Sequence, residues 1–138
     1  MHIGNIKIGV KHKPFIIAEM SGNHNQSIER AFKIIESAAK NGASAIKLQT
    51  YTADTITLDI DEREFLVKDK NSLWHGQSLY ELYEKAHTPW DWHAALFKKA
   101  EELGILCFSS AFSESAVDFL EDLNSPAYKI ASFENIHI

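Results

Sequence analysis

A parallel α/β fold is what this sequence predicts, and three observations predict it. First, four short apolar runs each end in polar residues: Phe15-Ile16-Ile17-Ala18 before Glu19, Ala45-Ile46-Lys47-Leu48-Gln49, Ile105-Leu106-Cys107-Phe108 before Ser109-Ser110, and Ala127-Tyr128-Lys129-Ile130-Ala131 before Ser132. Second, they are too short for helices and no tight two-residue turn joins them, so they read as strands buried on both faces. Third, amphipathic helical patterns lie between them, and strand, helix, strand succession makes neighbouring strands parallel. The alternation suits a doubly wound sheet or a (β/α)8 barrel.

Taken in order, Lys7-Ile8-Gly9-Val10 and the run from Phe15 onward predict a small hairpin around the first 14 residues. The first helix runs from about Ser27 to Lys40, with Ala31, Ile34, Ile35 and Ala38 on one face, Ser27 as N-cap and Asn41-Gly42 as the stop. The connection from Thr50 to Gly104 is far longer. Its last part, Pro89 to Leu103, reads as a helix capped by Thr88, with Trp92, Ala95, Leu96 and Ala100 as its apolar stripe. Its first part holds two shorter helical patterns, Asp61 to Lys68 and Ser78 to Lys85, and an insertion of this length, 51–88, suits a lid over a site. A third helix, from Ser113 or Glu114 to Leu123, turns Ala116, Phe119 and Leu120 inward before Pro126 opens the last strand. A complete barrel needs roughly 200 residues or more. Four β-α units in 138 residues are about half of one, and the chain is expected to be cut short just after its fourth strand.

Lys+Arg 14 against Asp+Glu 19 leave a net charge of −5, with 45% hydrophobic and 24% charged residues, a composition that places the chain among soluble globular domains. The acidic balance excludes the basic stripe that nucleic acid would need. The single cysteine, Cys107, cannot form an internal disulfide and is expected as a small core residue. No apolar run approaches the roughly 18 residues of a membrane span, and the start MHIGNIKIGVKHK lacks a signal peptide's apolar core. A cytoplasmic protein is expected.

Ligands of parallel α/β folds bind beyond the carboxyl ends of the strands, and each predicted strand supplies polar residues there. The first ends in Glu19 and is followed by Asn23-His24, the second carries Lys47 and Gln49, the third ends in Ser109-Ser110, and the fourth carries Lys129, then Ser132 and Glu134. A buried strand is an expensive place for an ammonium, which loses hydration without compensation. Two such lysines with the hydroxyls of Ser110 and Ser132 would make a carboxylate or phosphate site. A Schiff base to a carbonyl substrate is the other use of a buried lysine, and residue spacing does not separate the two. Glu19 reads as a general acid or base or as an acceptor for substrate hydroxyls, with an ion-pair partner for a structural lysine as the alternative. His24 reads as loop packing or as catalysis with equal weight. The remaining histidines show no metal-ligand spacing. Trp90 and Trp92 read as packing residues, and Trp74 as packing or as the wall of a sugar pocket.

The stretches FIIAEMSGNHNQS (15–27), AIKLQTY (45–51), SLYELYEKAHTPWDWH (78–93), FSSAF (108–112) and PAYKIASFEN (126–135) resemble, in order, the sialic acid synthase family of phosphoenolpyruvate-condensing sugar synthases. Within it, EMSGNHNQ, LQTYTADT, AHTPWDWH and KIASFEN are closer to the pseudaminic acid branch than to the N-acetylneuraminate branch. The resemblance implies the N-terminal half of a (β/α)8 TIM-type barrel, with the rest of the barrel and an antifreeze-like domain lying outside this chain, in a domain-swapped homodimer. It implies condensation of phosphoenolpyruvate with the open-chain aldehyde of an N-acetylated amino sugar to a nine-carbon 2-keto acid and phosphate. A divalent metal, Mn²⁺ or Mg²⁺, with ligands outside this segment would polarise the aldehyde. Position by position, Lys47, Ser110, Lys129 and Ser132 match phosphoenolpyruvate contacts, Gln49 and Glu134 match sugar contacts, and Glu19 the reacting centre. The family works without an imine, which lowers the aldolase reading; a non-catalytic anion-binding module is the alternative from another class. Ala111 stands where the family often has proline, and Phe133 where its N-acetylneuraminate members have glycine. The half-barrel alone is expected to leave Ile17 and Ile130 uncovered at open edges, to self-associate and to lack turnover.

Overall fold

The computed structural model describes residues 1–132 and 134–136. A small antiparallel hairpin of β1 (His2–Ile3) and β2 (Ile6–Lys7) stands apart from a four-stranded parallel sheet of β3 (Ile17–Glu19), β4 (Ala45–Thr50), β5 (Leu106–Ala111) and β6 (Tyr128–Lys129). The sheet order is the chain order. Each strand is laid beside its predecessor in one direction, as in a barrel wall, without the reversal of order that defines a doubly wound sheet. Right-handed crossovers added in one direction also place the connecting helices on one face.

Those helices are α1 (Ile28–Lys40), α4 (His93–Glu102) and α5 (Glu114–Asp122), with the short α2 (Ala53–Ile56) and α3 (Leu79–Ala86) in the long connection between β4 and α4. The α1 boundaries follow from local chemistry: the Ser27 hydroxyl accepts from the Arg30 N–H at 3.2 Å, and Gly42 takes the left-handed turn at φ 84° that ends the helix. Ala31 and Ile35 of α1, Leu96 and Ala100 of α4, and Ile46, Leu48, Ile105 and Cys107 from the sheet and its approach form one buried core, with Met20. Ala116 and Leu120 of α5 pack with Ala111 in a second cluster, against Trp90, Phe97 and Phe119. Lys99 of α4 pairs with Glu36 of α1 at 2.6 Å. Burial pushes the Cys107 thiol far up, so it is an inert core group, as expected.

Four expectations change. The hairpin turns at Gly4-Asn5, where Ile3 faces Ile6 and Gly4 supplies φ 55°; Lys7 to Val10 is not paired with the run at Phe15. The Asp61 to Lys68 stretch forms only a 3₁₀ turn at Arg63–Phe65, because Val67 instead exchanges backbone hydrogen bonds with Gln77 and Gly76 at 3.0 Å each. Thr88 does not cap a helix from Pro89: a 3₁₀ turn at Trp90–Trp92 precedes α4, and the Thr88 hydroxyl is engaged elsewhere. The fourth strand pairs only over Tyr128–Lys129 and not over Ala127 to Ala131, while the third runs one residue past Ser109-Ser110 to Ala111. Helix α2 escaped prediction, although Thr52 and Thr55 form a reciprocal capping pair at its start. Ile17 and Ile130 are exposed, at 41% and 61%.

Candidate anion and sugar site at the strand ends

The strand register gathers the predicted residues in two rows. Glu19 is level with Lys47 and Phe108, and one step nearer the carboxyl ends Gln49 is level with Ser110 and Lys129. Because side chains alternate along a strand, these residues share the face opposite Ile46, Leu48 and Cys107, away from the helices. The Lys47 side chain is only 12% exposed, and its Nζ donates to Glu19 Oε1 at 2.8 Å. Glu19 is 59% exposed beside that ammonium, so it is the lysine's ion-pair partner and is not shut in an apolar pocket. Lys129 makes no ion pair among the described residues, which leaves its ammonium available beside the Ser110 hydroxyl, itself almost fully buried. Ser132 is exposed in the turn beyond β6. Phe133 lies outside the described residues.

Above the second row is a cavity of about 460 Å³ lined by Gln49, Tyr51, Ile56, Tyr83, Phe112 and Glu134, with Gly22 and Ala86 at its rim. Tyr51 packs edge-on to both Tyr83 and Phe112, with ring centroids 5.7 and 5.6 Å apart, and burial pushes its phenol up to about 12, so it stays a neutral donor. One carboxylate oxygen of Glu134, Oε2, is buried with no hydrogen-bond partner among the described residues, a group that a ligand hydroxyl would satisfy. A larger groove of about 810 Å³ lies at the other end of β5, lined by Phe97, Ile105, Leu106, Leu123 and Pro126. It is distant from the strand ends where the charged rows converge, so the smaller cavity is the candidate site. Trp74 lines neither.

The long connection is held over this cavity by the loop after β3. Gln26 Nε2 donates to the carbonyls of Lys85 and His87, at 2.9 and 2.7 Å, capping the end of α3. His24 is fully buried: its Nδ1 accepts from the Gln26 N–H, its Nε2 is paired with Thr88 Oγ1 at 3.2 Å, and its ring meets Trp92 edge-on. Both readings of His24 are thereby resolved in favour of packing. The loop is bent tightly enough to put Ser21, Asn25 and Gln26 at positive φ, a strain that the docking contacts offset. Gly22 is required by close approach, since a Cβ there would lie 3.1 Å from the Ala86 carbonyl oxygen and 3.3 Å from its Cβ. Gly22→Ala is expected to lower stability by about 1 kcal/mol and to increase protease cleavage within 57–78, read by limited proteolysis; an unchanged digest would show that the contact does not hold the segment.

Burial, the chief cause, depresses the pKa of both His24 and His93, with the nearby His87 adding to the effect at His24. Groups that titrate below 6.5 when folded take up protons more readily in the unfolded chain, so their contribution is complete above pH 6.5 and declines as pH falls. The urea midpoint is therefore expected to drop between about pH 7 and pH 5, and the double substitution His24→Gln, His93→Gln is expected to flatten that slope. An equally steep slope in the double variant would assign the effect to carboxylates.

Among the described residues no three of His, Cys, Asp and Glu come together to hold a metal ion, and no helix is long and apolar enough to cross a membrane. Parallel strands laid down in chain order with the helices on one face define the class as a barrel-type α/β protein, with ammonium, amide and hydroxyl side chains sharing the other face of its sheet. The NeuB family profile matches residues 34–138, and the chain belongs to that family. It is 52% identical over 134 residues to a pseudaminic acid synthase of Campylobacter jejuni, covering 97% of this chain and 38% of that protein. It is 46% identical to one of Helicobacter pylori, covering 91% and 36%, and 34% identical to an N,N'-diacetyllegionaminic acid synthase of Legionella pneumophila, covering 87% and 33%. The structure of an N-acetylneuraminic acid synthetase from Leptospira borgpetersenii, in complex with citrate, superposes with a TM-score of 0.78 at 27% identity, over 99% of this chain and 43% of that one. The four strands thus correspond to part of a synthase TIM barrel, and the chain spans about two fifths of the length of these relatives.

Proposed function

We propose that the protein to which this chain belongs condenses phosphoenolpyruvate with the open-chain aldehyde of an N-acetylated amino sugar, giving a nine-carbon 2-keto acid of the pseudaminic acid type and phosphate. The observation that carries the proposal is the level row of Gln49, Ser110 and Lys129 beside the Lys47–Glu19 pair. Two ammoniums and a hydroxyl on one face of the sheet support the reading of a site for a phosphorylated carboxylate, with the neighbouring amide taken to meet a sugar hydroxyl. Lys47, Ser110, Lys129 and Ser132 hold the phosphoenolpyruvate in this reading. Gln49 and Glu134 orient the sugar, and Glu19 steadies Lys47 and serves as the catalytic carboxylate in this reading. The divalent metal belongs to the same proposal, with ligands outside this chain, as do the cytoplasmic setting and the domain-swapped homodimer.

The cavity favours the diacetamido, 6-deoxy sugar over N-acetylmannosamine: Tyr51, Ile56, Tyr83 and Phe112 surround it with apolar carbon, which suits methyl groups better than hydroxyls. Phosphate release by the full-length protein with Mn²⁺, phosphoenolpyruvate and each sugar in turn tests both levels. Faster turnover of the diacetamido sugar is expected. Equal or better turnover of N-acetylmannosamine would reject the pseudaminic assignment, and no phosphate release with any acetamido sugar would reject the synthase. A borohydride-stable adduct with pyruvate on Lys47 or Lys129 would restore the imine alternative.

A further inference from the structure

We propose that His93 is a positioning residue for the anion site: through Thr50 and Ser109 it fixes, from the helix side of the sheet, the two strand ends whose neighbouring residues Gln49 and Ser110 face the ligand. His93, Thr50 and Ser109 are all fully buried. His93 Nε2 lies 2.9 Å from Thr50 Oγ1, Thr50 Oγ1 lies 2.7 Å from Ser109 Oγ, and His93 Nδ1 lies 3.1 Å from the Pro89 carbonyl. A carbonyl can only accept, so Nδ1 carries the ring proton and, in the neutral ring, Nε2 must accept. The Thr50 hydroxyl therefore donates to His93, and Ser109 donates to Thr50. The longer alternative for Ser109, to the Ser110 carbonyl at 3.3 Å, is left unused. One order of protons satisfies every member, and removal of the middle hydroxyl strands the buried His93 Nε2 and leaves the Ser109 hydroxyl only its longer bond to the Ser110 carbonyl.

The chain of bonds crosses from α4 to Thr50, the last residue of β4, and on to Ser109, two residues before the end of β5. Thr50 and Ser109 point toward the helices, so Gln49 and Ser110, one residue away, must point to the opposite face, and holding the first pair sets the direction of the second. Trp90 reinforces the tie, its indole N–H donating to the Tyr51 carbonyl at 3.2 Å while its ring stacks on Phe119. Phe119 also meets His93 edge-on at 5.3 Å, closing the network to water.

The functional part of this inference rests on reading the row as the phosphoenolpyruvate site, and the test separates the two. In the intact ¹⁵N-labelled protein, the His93 imidazole is expected as the neutral Nδ1–H form with a hydrogen-bonded Nε2. Thr50→Val, nearly isosteric, is expected to shift His93 Nε2 and the Gln49 side-chain amide, and Thr50→Ser to restore both. In the full-length protein the KM for phosphoenolpyruvate should rise roughly three- to tenfold in Thr50→Val, the worth of one hydrogen bond, with kcat little changed, and return in Thr50→Ser. Should Thr50→Val not fold, Ser109→Ala makes the shorter cut with the same readouts. An Nε2–H tautomer, or a Gln49 amide unmoved in a folded variant, would overturn the inference. Absence of phosphoenolpyruvate turnover in the unsubstituted protein would overturn the synthase reading, while the tautomer and the Gln49 amide would still decide the role of His93.

Discussion

Replacing Lys129 with alanine is expected to cut the use of phosphoenolpyruvate by the full-length enzyme roughly ten- to a hundredfold, the worth of one charge-assisted contact of about 1.5–3 kcal/mol. Lys129 is level with Ser110 and makes no ion pair among the described residues, so its charge has no competing internal partner. Lys47→Ala is expected to fall in the same range for a different reason. Its ammonium already donates to Glu19 at 2.8 Å, and losing it removes a ligand contact while leaving a second carboxylate to repel the incoming anion. Steady-state kinetics with circular dichroism as the folding control decides the matter. Unchanged kinetics in both variants would eliminate the anion site at these strand ends.

The largest expected effect on stability comes from Leu48→Ala. Leu48 is wholly buried in the core between β4 and the helices, flanked in sequence by the two site residues Lys47 and Gln49. Removing three buried carbons and leaving a void costs about 2–5 kcal/mol at such positions, read as a shift in urea midpoint at constant slope. A loss below about 1 kcal/mol would show that the helix layer closes over the gap and is not tightly packed there.

Much of this was legible from residue patterns because the strongest signals were physical necessities. Ala31 and Ile35, or Leu96 and Ala100, recur at helical spacing and end in one buried cluster because a helix can bury only one stripe against a sheet. Lys47 and Gln49 were placed on one side because strand alternation leaves no choice. What the pattern could not supply was cross-strand partnership. Nothing local pairs the Ser109 hydroxyl with Thr50, far away in sequence, which accepts its proton. Nor does spacing show that Thr88 serves His24 and not a helix end, or that Glu19 is taken up by Lys47. The role of His93 is hidden for the same reason, since its partners Thr50 and Ser109 come from two strands distant in sequence. The WDWH segment itself, with a tryptophan three residues before a histidine on one helical face, was the available signal.

The stack of Trp90 on Phe119, with its indole hydrogen bonded to the backbone of Tyr51, has an optical consequence. The ring of Tyr51 forms a wall of the cavity, so a fluorophore native to the protein is wired to that wall through a single carbonyl. Filling the cavity is expected to change the polarisation of that carbonyl and hence the emission of Trp90. Ligand binding there is therefore expected to show in ordinary tryptophan fluorescence, without a label, and Trp90→Phe, which keeps Trp74 and Trp92, is expected to lose the response.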